Sequence, residues 1–163
     1  MKTDKFYTLI TAIILAISCK KENNTNNNYK QQISLRANGN LFSVTSGDAG
    51  VTQSDAHINS SKFQLDATTS TKDFSINKQN VSALGSYIID AGTTGVFNFA
   101  QWEDGSSLYS SIGSSKSHLL FTISRKVETS SDYFLVEGTF SGVLYNVTQT
   151  DSVRITEGQF RIL

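Results

Sequence analysis

From Gln32 to the C-terminus apolar and polar residues alternate with a period of two, and no stretch carries the 3.6-residue period of an amphipathic helix. That constrains the chain to antiparallel sheet, in which one face packs and the other meets water. Ile33, Leu35 and Ala37 alternate with polar neighbours, Asn38-Gly39 supplies a two-residue turn, and Phe42 and Val44 resume the pattern. Both turn residues tolerate the positive φ of a type I′ hairpin. Further alternating runs cover 56–59, 62–67, 73–77, 86–90, 95–102, 107–112, 118–126, 133–145 and 152–162, about eleven short strands in all. Ser46-Gly47-Asp48, Asp90-Ala91-Gly92, Glu103-Asp104-Gly105, Gly113-Ser114-Ser115 and Ser130-Ser131-Asp132 are the expected turns between them.

Composition agrees with this assignment. Only 17% of the 163 residues are charged, and the difference is made up by 23 Ser, 17 Thr and 12 Asn. Thr favours strands and Ser fills turns. A single Cys excludes a disulfide framework. Zero net charge argues against a nucleic-acid partner. The longest run, 133–145, places glycines at 138 and 142 inside a strand, which marks a bulge, a bend or the close approach of a facing layer. A long strand that bends can serve two sheets, so the expected fold is an all-β antiparallel sandwich or flattened barrel, a single domain over 32–163.

The N-terminus has a different character. Lys2 and Lys5 precede an apolar run of twelve, Phe6 to Ile17, too short to span a bilayer. It ends in Ala16-Ile17-Ser18-Cys19, which resembles the lipobox of bacterial lipoproteins, although Leu15 stands one residue before the usual Leu position. The resemblance implies a signal peptide over 1–18, cleavage between Ser18 and Cys19, and a diacylated Cys19. A plain secretory signal would instead leave an exposed reactive thiol. Residues 19–31 then form a polar stalk, with Asn23-Asn24-Thr25-Asn26-Asn27-Asn28 at its centre, too poor in apolar residues to repay the entropy of ordering. After cleavage the net charge is −1, so steering by charge is not expected.

Val136-Glu137-Gly138-Thr139-Phe140-Ser141-Gly142, followed by Val153-Arg154-Ile155-Thr156-Glu157-Gly158-Gln159-Phe160, resembles the last hairpin of an uncharacterised family of small β-rich lipoproteins of the Bacteroidota. The lipobox, the polar stalk and the Asn38-Gly39 hairpin with Phe42 fit the same family. The resemblance covers both ends of the mature chain and is vague over 51–117. It implies an outer-membrane envelope lipoprotein, periplasmic or surface-exposed, without enzymatic activity. Asp151-Ser152-Val153 is similar to the O-glycosylation acceptor of that phylum, which would place a glycan on Ser152; the plainer account is a strand start. Lys20-Lys21-Glu22 only faintly resembles the acidic tag of surface export.

Reactive constellations are scarce. His57 and His118 lie far apart, and without a second Cys or a His-x-x-x-His spacing a zinc site is not expected; no metal or other cofactor is. Gly-x-Ser-x-Gly is absent. Trp102-Glu103-Asp104-Gly105 offers an aromatic ring beside two carboxylates, able with Tyr109 to stack a sugar and bond its hydroxyls. Against this, Glu-Asp-Gly is ordinary turn chemistry, and neighbouring carboxylates point to opposite faces of a strand, which disfavours a glycosidase pair. Three functions follow: a non-enzymatic binding or scaffolding lipoprotein whose partner is a glycan or an envelope protein, a carbohydrate-binding module acting through Trp102 and Tyr109, and a hydrolase with an unrecognised site.

Overall fold

The structure is a computed structural model and describes residues 31–45, 53–59, 62–81, 83–91, 98–130 and 133–162. The expected signal peptide, Ser18, Cys19 and nearly all of the stalk lie outside these residues, as do the turns at 46–48 and 131–132. The described residues form eleven strands: β1 (Gln32–Ala37), β2 (Asn40–Thr45), β3 (Gln53–Asn59), β4 (Lys62–Thr68), β5 (Lys72–Gln79), β6 (Gly85–Asp90), β7 (Phe99–Asp104), β8 (Ser107–Ser110), β9 (His118–Ser130), β10 (Tyr133–Tyr145) and β11 (Ser152–Ile162). Every pairing is antiparallel, and the described residues contain no helix. The all-β expectation holds.

Strand β10 is the branch point. The ladder β2-β1-β11-β10 continues through β9 to β6, while the C-terminal end of β10 meets β8 through one register pair, Tyr145 opposite Ser110, and leads on to β7-β5-β4-β3. The first set of strands is here called the first layer, and β8-β7-β5-β4-β3 the second. The sheet curls so that the layers face each other. Phe42 on β2 meets Trp102 on β7 edge-on at 5.1 Å, Phe63 on β4 stacks on Phe121 of β9 at 4.9 Å, and Phe74 on β5 stacks on Phe140 of β10 at 4.7 Å. Each such pair contributes roughly 0.5–1.5 kcal/mol beyond the apolar area it buries. The arrangement is a flattened, sandwich-like curl in which the long strand serves both layers.

Local chemistry sets the register. Asn38 and Gly39 take φ of 49° and 84°, and β1 and β2 pair without a shift from Gln32–Thr45 to Ala37–Asn40. The Asn38 backbone N–H donates to the Arg154 carbonyl at 2.9 Å and its Oδ1 accepts from the Arg154 N–H at 2.8 Å, which fastens the turn to β11. Strand β11 carries one extra residue against both neighbours. Ser34 to Arg36 of β1 faces Gln159 to Thr156, and Phe140 to Gly142 of β10 faces Gly158 to Ile155. Glu157 takes up the bulge with a φ of 50°, and the Arg36 guanidinium holds its carboxylate at 2.9 Å.

The glycines of β10 answer to close approach. Segments Glu137-Gly138-Thr139-Phe140 and Glu157-Gly158-Gln159-Phe160 lie antiparallel, so that Gly138 faces Phe160 and Phe140 faces Gly158. Each ring covers the glycine opposite. A Cβ on Gly138 would collide with the Phe160 ring and the Thr122 carbonyl oxygen, and one on Gly158 with the Phe140 ring and carbonyl oxygen. The motif that suggested a family is thus a pair of reciprocal ring-over-glycine contacts at the centre of the core.

Candidate functional site

The four residues singled out around the β7–β8 hairpin do not share one environment. Alternation along β7 puts Ala100 and Trp102 on the inner face, and Trp102 is 1% exposed. Its ring is occupied by the Phe42 edge and by the Lys72 ammonium 5.9 Å from its centroid, while Lys72 also pairs with Asp104 at 3.2 Å. No face is left on which a sugar can stack, which corrects the platform expected of this residue. Glu103 and Asp104 were expected in the turn; both belong to β7, and the turn begins at Gly105, with a φ of 60°.

Trp102 and Tyr109 are direct cross-strand partners. With Asp104, Asn38, Asn40 and Ser107 they line a cleft of about 170 Å³. Glu103 turns the opposite way, into a cleft with Thr69, Thr71, Lys72 and Asp73. The two carboxylates therefore do not converge. Half-buried Tyr109 donates its phenolic O–H to Asp151 Oδ2 at 2.8 Å, and Asp151 Oδ1 accepts the Ser152 N–H at 2.8 Å. Ser152, the candidate glycan acceptor, is the half-buried first residue of β11, opposite Tyr145.

The bond to Asp151 requires the phenolic proton and raises the Tyr109 pKa above its ordinary 10.0, with burial and the Asp151 charge acting in the same direction. Because the folded value lies above the unfolded one, the stabilisation is complete below about pH 10 and disappears as pH rises through the folded value. A phenolate absorbance titration should therefore show Tyr109 ionising later in the wild type than in Asp151→Ala. Superimposable curves would refute the contact.

His118 opens β9 and is exposed, paired in register with Val143 and Asp90, and His57 lies on β3 opposite Gln64. Among the described residues no three His, Cys, Asp or Glu side chains cluster as a metal site.

A feature that residue-by-residue reading missed lies on the outer face of the first layer. All four arginines of the chain stand there: Arg36 on β1, Arg125 on β9, and Arg154 and Arg161 on β11. Arg161 Nε and Arg125 Nη1 approach Glu137 Oε1 at 3.1 and 3.4 Å, so one row runs Arg161–Glu137–Arg125 across three strands. Arg154 forms no ion pair among the described residues. The outer face of the second layer carries Asp66, Asp73 and Glu103 against Lys62. Among the described residues the outer face of the first layer thus sets the four arginines against Glu137, Glu157 and Asp90, close to balance, whereas that of the second layer is acidic. The sequence signal was available: each arginine occupies a polar phase of an alternating strand.

Two adjoining clefts of about 280 and 260 Å³ open on the arginine face and share Thr139 and Gln159. Comparison with protein-family models, with curated proteins and with solved structures found no match.

Proposed function

We propose that this protein is a lipid-anchored lipoprotein of the bacterial cell envelope whose β-domain acts in binding or scaffolding, without catalysis. The observation that carries this reading is the only Cys of the chain, Cys19, set after Ala16-Ile17-Ser18 at the end of a basic and then apolar segment. Two or three acyl chains, at about 0.8 kcal/mol per buried methylene, make a durable anchor where one alone binds reversibly. Strand β1 starts at Gln32, so the intervening chain spans at most about 47 Å when extended and keeps the domain near the membrane. Membership of the Bacteroidota lipoprotein family, and an outer-membrane location facing either side, belong to the same proposal.

Partner binding through a Trp102 platform is not part of it, because that ring is buried. Cys19→Ser should abolish labelling by a fatty-acid analogue and move the protein out of the membrane fraction. Undiminished labelling of Cys19→Ser would overturn the anchor. Digestion of intact cells with a proteinase distinguishes the two orientations.

A further inference from the structure

We propose that the outer face of the first layer binds an acidic polysaccharide, a chain of sugar rings carrying carboxylate groups. The proposal rests on the reading of the domain as a binding module and not on the lipid anchor. Its basis is the distribution of charge and hydrogen-bonding groups along the two adjoining clefts. Ser34, Thr122, Thr139 and Ser141 supply short hydroxyl groups to the clefts. These donate to and accept from sugar hydroxyls without the entropy cost of ordering long side chains.

Arginines stand at both ends of this floor. Arg161 and Arg125 flank Glu137 at one end, and Arg36, paired with Glu157, lies diagonally across from Arg154 at the other. From the Glu137 row to the Val143–Arg154 row is six residues of β10, about 20 Å, the length of a short oligosaccharide segment. Guanidinium groups suit planar carboxylates because they bond them in a bidentate fork. Arg154 has its fork free among the described residues, and it is exposed.

The two glutamates decide between polyanions. A nucleic acid carries a phosphate charge on every nucleotide and would press some of them against Glu137 and Glu157. A sugar chain that carries a carboxylate on every second ring spaces its charges further apart, and the hydroxyls of its neutral rings donate to those same glutamates. Attraction comes from arginines, specificity from acceptors that reject a denser anion. The acidic outer face of the second layer, with Asp66, Asp73 and Glu103, restricts such a ligand to one side of the molecule.

The test uses the full chain in detergent on immobilised hyaluronate, whose carboxylates stand on alternate rings, with dextran as the neutral counterpart and a single-stranded DNA oligonucleotide as the dense polyanion. Wild type is expected to be retained on hyaluronate at about 50 mM salt, released as screening increases, and not retained on dextran. Arg154→Ala with Arg161→Ala should weaken binding by about tenfold or more for each arginine removed. Lys62→Ala, on the other layer, should leave it unchanged. Should the double variant melt early, Arg154→Ala alone carries the test, since its side chain holds no other described residue. No retention of wild type, equal binding to the oligonucleotide, or wild-type affinity in Arg154→Ala would each overturn the proposal. Cys19→Ser protein is run alongside: loss of lipid label with retained polysaccharide binding keeps this inference separate from the anchor, and an anchored protein that binds nothing sinks this inference alone.

Discussion

Gly138→Ala should lower the unfolding free energy by about 3 kcal/mol or more, a large share of a small domain's typical 5–15 kcal/mol. The added methyl meets the Thr122 carbonyl oxygen on β9 and the Phe160 ring on β11 at once. Neither can retreat freely. Moving Thr122 parts the β9–β10 ladder, and Phe160 is held by Phe63 at 5.4 Å on the facing layer. Gly142 is confined in the same way: a Cβ there would stand 2.7 Å from the Leu119 Cα and collide with the His118 carbonyl oxygen. The comparison is Ser141→Ala between them, on the exposed outer face, where a change within about 0.5 kcal/mol is expected. Chemical denaturation of the three proteins separates the cases, and a Gly138→Ala midpoint equal to wild type would show that the strands are further apart than described.

Trp102→Ala should cost a further 3–5 kcal/mol in its own right, measured by the same unfolding transition. It removes the largest fully buried side chain, leaves Phe42 without its edge-on partner, and strips the Lys72 ammonium of the ring beneath it. A cavity of that size between two curled layers cannot close without shifting β2 against β7. Loss of ligand binding with an unchanged midpoint would reverse the assignment and return Trp102 to the surface. Trp102→Phe, which keeps an aromatic ring, should recover much of the loss.

Much of the architecture could be read from residues because a strand records its own faces. Alternation at Ile33-Leu35-Ala37 and at Phe63-Leu65-Ala67 gave both the strand and its buried side, and the positive φ tolerated by Asn38 and Gly39 gave the first hairpin. The reading failed at Trp102. Placing the turn at Glu103-Asp104-Gly105 put Trp102 beside a loop, whereas the strand runs two residues further and its inward phase carries the ring into the core. Periodicity fixes which side chains share a face but leaves the last residue of a strand uncertain. The glycines of β10 were legible as a close approach, although the partners that make it close were not.

What the sequence alone determined is the set of strands, the inward or outward phase of each side chain, the chain's only thiol and its near-zero charge. Tertiary structure decided which outward phases lie side by side. Strand order β1-β11-β10-β9 brings Arg36, Arg154, Arg161 and Arg125 onto one surface from positions up to 125 residues apart. Pairing between distant strands obeys the packing of the whole core, in which Phe160 must cover Gly138 and Phe74 must stack on Phe140. Local alternation is a property of each strand's backbone; the register between strands depends on long-range burial, and only that register gathers the arginines of an evenly charged chain onto one face.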